Sequence, residues 1–199
     1  MNVLLVFCHP APESFQRTIL RELEERLGGE GHAVKVIDLY GERFDPVLDA
    51  EAWRAHRGNQ THAAGLSTYL AALGEAEGLI LVYPTWWYGL PAMLKGWIDR
   101  VWQPGVAFTM EGGAFRTRTL RRVKRFAVIT TYGSPRWFIE WIVGDPTRRQ
   151  LMRGLALQFA RGVKTCWRPI YGVDTRSEAD LARARELAVN SVVRRFTPG

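Results

Sequence analysis

The sequence holds little sulfur. Its two cysteines, Cys8 and Cys166, stand in no CxxC pair and at no zinc-like spacing, which argues against both a disulfide framework and a metal centre. Apolar runs are short, and none approaches the roughly 18–20 residues that a membrane span needs. A charged leader with a small-residue cleavage site is missing ahead of the run Val3 to Phe7, so no secretory signal is expected. The simplest reading is a protein of a reducing cytoplasm. Repeats, low-complexity tracts and Ser/Pro-rich linkers are also absent, and 199 residues suit one domain spanning 1–199.

Glycine is missing where nucleotide-binding motifs need it. The loop HPAPESFQ, His9 to Gln16, contains none. It therefore fits neither the GxGxxG of a dinucleotide fold nor the GxxxxGK[ST] of a P-loop, which argues against a Rossmann dehydrogenase and against an NTPase. Charge is plentiful but uneven. Residues 1–112 sum to −5 and residues 113–199 to +12, within an overall +7. The densest basic stretch is Arg116 to Arg125. It reads equally well as a solvated face or as a surface for an anionic ligand or partner. No nucleic-acid motif accompanies the charge, so nucleic acid is not expected as a partner.

What is present is an alternation of apolar runs and amphipathic stretches. NVLLVFC (Asn2 to Cys8), Ala33 to Leu39, GLILVY (Gly78 to Tyr83), RFAVITT (Arg125 to Thr131) and Val163 to Tyr171 read as strands. The continuous apolar ones suit a parallel sheet buried on both faces. Phe15, Ile19, Leu23 and Leu27 mark an amphipathic helix stopped by Gly28-Gly29. Helices are also expected in two pieces within 45–75, from Pro91 to about Trp102, over Pro146 to Ala160, and from Ser177 to Phe196, the last capped by Asp174-Thr175 or Ser177. The pattern implies an α/β fold, a flavodoxin-like doubly wound five-stranded parallel sheet of order 2-1-3-4-5. Cys8 reads as a small core residue. His32, His56 and His62 have no evident partner and are expected on the surface.

In such a sheet a ligand sits beyond the carboxyl ends of the strands, and three loops there carry the informative residues. The first ends at a helix N-terminus, which suits an anion, with Ser14 as a helix cap. The second, YPTWWYGLP (Tyr83 to Pro91), places Trp86, Trp87 and Tyr88 together in a turn, where core packing does not explain them and a flat ring system would. A hydrophobic contact with a second copy is the competing reading. In the third, TTYGSPRW (Thr130 to Trp137), Gly133 would let backbone approach a planar ligand, and Tyr132 or Trp137 could cover it. A flavin needs no triad, metal or reactive thiol from the protein.

These segments resemble the NAD(P)H:quinone oxidoreductase family, whose relatives include modulator-of-drug-activity quinone reductases and the ancillary subunits of potassium-efflux systems. The resemblance runs from His9 and Ser14-Phe15-Gln16 through Asp38-Leu39-Tyr40 and Phe44-Asp45-Pro46. It is most specific in YPTWWYGLPAMLKGWIDRVW, Tyr83 to Trp102, and continues through Gly105 to Phe108, Thr130 to Gly133 and Gly144-Asp145. It implies FAD, or alternatively FMN, with NADPH or NADH as donor and a quinone-like acceptor in a ping-pong cycle. His9, Ser14, Phe15 and Gln16 would hold the phosphate end. Pro84, Thr85, Trp86, Trp87 and Tyr88 would hold the ring and ribityl chain, and Thr130, Thr131, Tyr132 and Gly133 would close the other side. It also implies a homodimer with the site at the subunit interface.

Where mammalian-type members place proton-transferring or substrate-side Tyr and His, this chain has Trp137, Val143, Phe108 and Met110. No catalytic residue is therefore certain, and Tyr132 and Trp137 are the candidates. An alternative role is a flavin-binding regulatory subunit of a membrane transport system, with Arg116 to Arg125 as the surface for a transient membrane-protein partner. A one-electron carrier fits less well, because such carriers are usually acidic.

Overall fold

The computed structural model describes residues 1–111, 114–116 and 120–197. Strands β1 (Asn2–Phe7), β2 (Ala33–Asp38), β3 (Gly78–Pro84), β6 (Arg125–Tyr132) and β7 (Lys164–Tyr171) form one five-stranded sheet. All neighbours pair parallel, in the order β2-β1-β3-β6-β7. This is the expected 2-1-3-4-5 order, because β4 (Thr109–Glu111) and β5 (Ala114–Arg116) form a separate antiparallel pair. Helices α1 (Phe15–Gly29), α2 (Ala50–Arg57), α3 (Ser67–Glu75), α4 (Ala92–Val101), α5 (Pro146–Arg149) and α6 (Glu178–Phe196) complete the fold. No helix among the described residues is long and apolar enough to cross a membrane.

Side-chain alternation sorts the central strands onto two cores. Leu4, Val6, Leu79, Leu81, Phe126 and Val128 face Leu73 of α3 and Leu94 and Trp97 of α4. Val3, Leu5, Phe7, Ile80, Ala127 and Ile129 face Ile19 and Leu23 of α1 and Val189 and Phe196 of α6. β1, β3 and β6 are therefore apolar on both faces, which is why they read as continuous runs and not as alternating ones. Each fully buried aliphatic or aromatic side chain contributes about 1.5–3 kcal/mol.

The helix ends follow their capping residues. Ser14 caps α1 by accepting from the Arg17 N–H at 3.2 Å, and Ser177, not Asp174-Thr175, caps α6 by accepting from the Asp180 N–H at 3.2 Å. Two expectations fail. The single helix expected over Pro146 to Ala160 is divided into α5, a π-helical turn (Gln150–Gly154) and a 3-10 turn (Leu155–Gln158). Gly154, a weak helix former, stands at the junction. His32 is not a surface residue but is 9% exposed, with Nδ1 3.4 Å from the Met1 amine. His56 is partly covered by the Phe108 ring at 5.3 Å, and the His62 N–H donates to Gln103 Oε1 at 2.6 Å.

One contact fixes where the segment after β2 lies. The Arg100 guanidinium donates to the Asp45 carbonyl at 2.5 Å and sits 5.6 Å from the centre of the Phe44 ring. Pro46 packs so tightly on α4 that a Cβ at Gly96 would overlap its backbone. Gly96→Ala should therefore destabilise by about 1–3 kcal/mol, although Gly→Ala in an open helical position gains. Gly74, in α3 with nothing within 4 Å of a Cβ, serves as the control. Gly74→Ala should stabilise by about 0.5 kcal/mol, and urea unfolding of the two variants checks the opposite signs.

Cys8 follows β1 and is fully buried, its N–H donating to the Val82 carbonyl at 3.0 Å. Burial pushes its thiol up from 9.0 to about 12. The fold holds the protonated form, so nothing is lost below pH 9, where the unfolded thiol is protonated too. Stability then falls as pH climbs from 9 toward 12. Alkaline titration of Cys8→Ala should give a shallower decline over that window than the parent chain.

Candidate functional site

The carboxyl ends of β1, β3 and β6 lie side by side, since Phe7 pairs with Val82 and Tyr83 and Pro84 pair with Thr130 and Thr131. The three expected loops therefore emerge at one edge. They meet at two buried hydroxyls. Thr131, 3% exposed, accepts from the Gln16 side-chain amide in the first turn of α1. Thr130, fully buried, shares a 2.9 Å hydrogen bond with Thr85, and the Thr85 N–H donates to the Thr131 carbonyl at 2.9 Å. Gln16, Thr85, Thr130 and Thr131 thus tie the loops to one another.

Residues 86–89 form a two-residue hairpin turn. Trp86 and Gly89 exchange both backbone hydrogen bonds, at 3.1 and 2.8 Å. Trp87 and Tyr88 between them are both left-handed, with φ of 47° and 61°. That is the I′ arrangement, which normally selects Asn-Gly. Two aromatic L-residues there carry strain of about 1–2 kcal/mol each. Trp87 is 93% exposed, so burial repays none of it on its side. Tyr88 is better anchored. Its ring meets Phe138 at 6.0 Å, and its carbonyl accepts from the buried Thr147 hydroxyl at 2.8 Å.

Beside this turn is a cleft of about 370 Å³ lined by Thr85, Trp87, Tyr88, Tyr132, Gly133, Ser134 and Asp174. A Cβ at Gly133 would meet the carboxylate of the exposed Asp174 side chain. Tyr132 is 3% exposed and donates its hydroxyl to Asp145 Oδ1 at 2.9 Å. Burial, and then the Asp145 carboxylate, push its pKa well above the ordinary tyrosine value. Its ring stacks on Tyr171 at 5.3 Å. Asp145 is itself left-handed, at φ 44°, and accepts from the Arg148 N–H at 3.3 Å as the cap of α5.

The other site candidates separate. His9 accepts from the Ala11 N–H on Nδ1 at 3.0 Å, and burial lowers its pKa. The same Nδ1 lies 3.2 Å from the Ala11 carbonyl. Ser14 is engaged as the helix cap, and Phe15 packs partly buried against the α1–α6 core. Trp86 and Trp137 are 56% and 54% exposed. Trp137 stands edge-on to Phe138 at 5.7 Å, just before a π-helical turn (Phe138–Val143) that ends in Val143. Phe108 packs with His56 and does not line the cleft. Met110 belongs to β4, and its side chain lies outside the described residues, as does part of the basic stretch, 117–119.

Asp145 and Thr147 brace the site and Asp174 lines the cleft, and none of the three has a site role on sequence grounds. Gly144-Asp145-Pro146 carried the signal for the first, an Asp cap followed by Pro at the first helical position.

A family model of flavodoxin-like fold (Flavodoxin_2) matches residues 1–186. The chain belongs to that family. It is similar to the "uncharacterized NAD(P)H oxidoreductase YcaK" of Escherichia coli (strain K12), with 34% identity over 110 residues covering 54% of this chain and 55% of that protein. It is also similar to the ribosyldihydronicotinamide dehydrogenase [quinone] of Pongo abelii, with 33% identity over 129 residues, 56% of this chain and 55% of that protein. The chain thus spans about half the length of these curated relatives. Among solved structures, the NAD(P)H:quinone oxidoreductase of Methanothermobacter marburgensis superposes with a TM-score of 0.79. It is 28% identical, and the match covers 96% of this chain and 98% of that one.

The strained turn makes a measurable prediction. Trp87→Asn removes an exposed left-handed aromatic and should raise the melting temperature by roughly 2–4 °C, worth about 1 kcal/mol. The same change should weaken flavin retention. Scanning calorimetry and the flavin absorbance of the purified variant check both directions.

Proposed function

We propose that this chain is a flavin-dependent oxidoreductase that moves two electrons from NAD(P)H to a quinone or a similar acceptor in two successive half-reactions. The observation that carries the proposal is the left-handed Trp87–Tyr88 turn beside the cleft at the strand ends. The similarity to NAD(P)H oxidoreductases and quinone reductases supports it.

The residues present fit a flavin. Trp87 offers an exposed aromatic face, and the central N–H groups of an I′ turn are not used by the turn's own hydrogen bonds. The amino end of α1, with His9 in the loop before it, suits an anion. When bound, the flavin accepts a hydride from the nicotinamide and returns it to the acceptor. The protein's part is placement. Thr85, Thr130, Thr131 and Gln16 fix the loops, and Tyr88 and Thr147 hold the turn. Trp137 and Val143 cannot relay a proton, and the Tyr132 hydroxyl is already donated to Asp145. Rate acceleration then rests on holding the reacting rings in attack geometry, which can supply several kcal/mol.

FAD is the first choice over FMN, because the segment 45–65 with α2 and the half-exposed Trp53 offers cover for an adenine. The arginine-rich second half favours NADPH over NADH. A homodimer is supported by Trp137, Trp141 and Ile142, which are 54%, 79% and 66% exposed around one turn. Two buried thiols suit the cytoplasm.

The absorption spectrum of the purified protein, before and after anaerobic NADPH, tests the proposal. Bands near ~370 and ~450 nm, the positions expected of a flavin, should bleach on addition of NADPH. A protein that stays colourless after both FAD and FMN are supplied overturns it. Flavin extraction with chromatography separates FAD from FMN, and sedimentation gives the oligomeric state.

A further inference from the structure

We propose that the open edge of the sheet is a docking groove for an extended, acidic segment of a partner polypeptide, which adds to the sheet beside β7. This reading is independent of the flavin. β7 is the last strand of the order, and its outer edge pairs with no strand among the described residues. A strand edge presents a row of backbone donors and acceptors that another extended chain can match.

That edge lies in a groove. A cavity of about 810 Å³ is lined by six successive residues, Trp167 to Gly172, with Pro135 and Arg136 on one bank and Ala184 and Leu187 of α6 on the other. Toward the amino end of β7 it shares Arg168 and Ser191 with a second cavity of about 370 Å³. Toward the carboxyl end it shares Arg136, Glu140 and Arg148 with a third, of about 530 Å³. Lining residues thus occur at both ends of the eight-residue strand, Lys164 and Tyr171, which spans roughly 26 Å at the usual rise.

Its charge is one-sided. Ten Lys and Arg side chains line the three cavities against two carboxylates. Both carboxylates are already engaged: Glu140 with Arg136 at 3.0 Å, and Asp145 with the Tyr132 hydroxyl at 2.9 Å. Lys164, Arg194 and Arg195 cluster at the amino end, and Arg148, Arg149 and Arg153 at the carboxyl end. Between them the floor is partly apolar, with Trp167 half-buried and Leu187 61% exposed.

An open backbone edge, an apolar floor and cationic banks together describe a strand in which acidic and apolar residues alternate. A phosphodiester backbone could answer the cations but not the strand edge, and a lipid surface is too flat to enter the concavity. Pro169 removes one N–H from the strand, which limits the registers a partner can adopt.

The test is fluorescence anisotropy with a labelled peptide of the length of β7 that alternates glutamate with valine. Binding should be salt-dependent, and it should weaken roughly tenfold or more when alternate peptide nitrogens are methylated. Arg168→Glu combined with Arg194→Glu should produce a similar loss, with the far-ultraviolet circular dichroism unchanged. The methylated peptide needs no protein variant, so the proposal stays testable if the charge reversal does not fold. Absence of peptide binding at low ionic strength would mean that the cations and Pro169 only guard the edge, and the proposal falls. It also falls if the methylated peptide binds equally well, or if single-stranded DNA of equal charge or phosphatidylglycerol vesicles bind as tightly as the peptide.

Discussion

The structure depends on a sheet that tolerates no polar side chain in its middle. β1, β3 and β6 are covered on both faces, and their central residues, Leu4 to Val6, Ile80 to Val82 and Ala127 to Ile129, are fully or almost fully buried. An unpaired polar group there would cost several kcal/mol. Hydroxyls and amides therefore enter only as the strands run out, and parallel pairing makes all three run out at the same edge. Thr130 and Thr131 are the first polar side chains on β6 past that apolar zone. They are satisfied by Thr85 and Gln16, which belong to the neighbouring loops. The site is thus a consequence of where the core stops, and the Gln16–Thr131 and Thr85–Thr130 links tie its loops together.

Much of this was legible in the chain. Continuous apolar runs identify central strands because both faces are buried, and the four-residue recurrence of Ile19, Leu23 and Leu27 marks α1 because one face is. The aromatic turn was visible as three large rings where no core could take them, and the structure adds that two of them occupy a left-handed backbone. What escaped depends on distant partners. Nothing near His32 in sequence predicts that the chain's amino terminus lies beside it. Nothing near Gly133 in sequence predicts that the Asp174 carboxylate lies beside it. Residues 146–160 carry a helical pattern, but local winding into π and 3-10 turns is set by packing that periodicity does not encode.

The site also divides its residues between holding and presenting. Tyr132, Asp145 and Thr147 are buried, the first two bonded to each other and the third to the Tyr88 carbonyl, and they offer little to a ligand directly. Trp86, Trp87 and Trp137 are exposed and bonded to little. Rigid supports beneath adaptable aromatic surfaces are what a stacked planar ligand requires, since its affinity rests on ring orientation more than on any one hydrogen bond.

The strand order has one further consequence. The chain's negative part supplies β1, β2 and β3, while its positive part supplies β6, β7 and α6. Because the sheet winds outward in both directions from its middle, a charge imbalance along the chain becomes a separation of charge across the molecule. The protein is an electric dipole whose axis lies across the strands, positive toward β7. In the field of any charged surface or partner it will be turned before it touches, and the end that arrives first is decided by topology as much as by any single arginine.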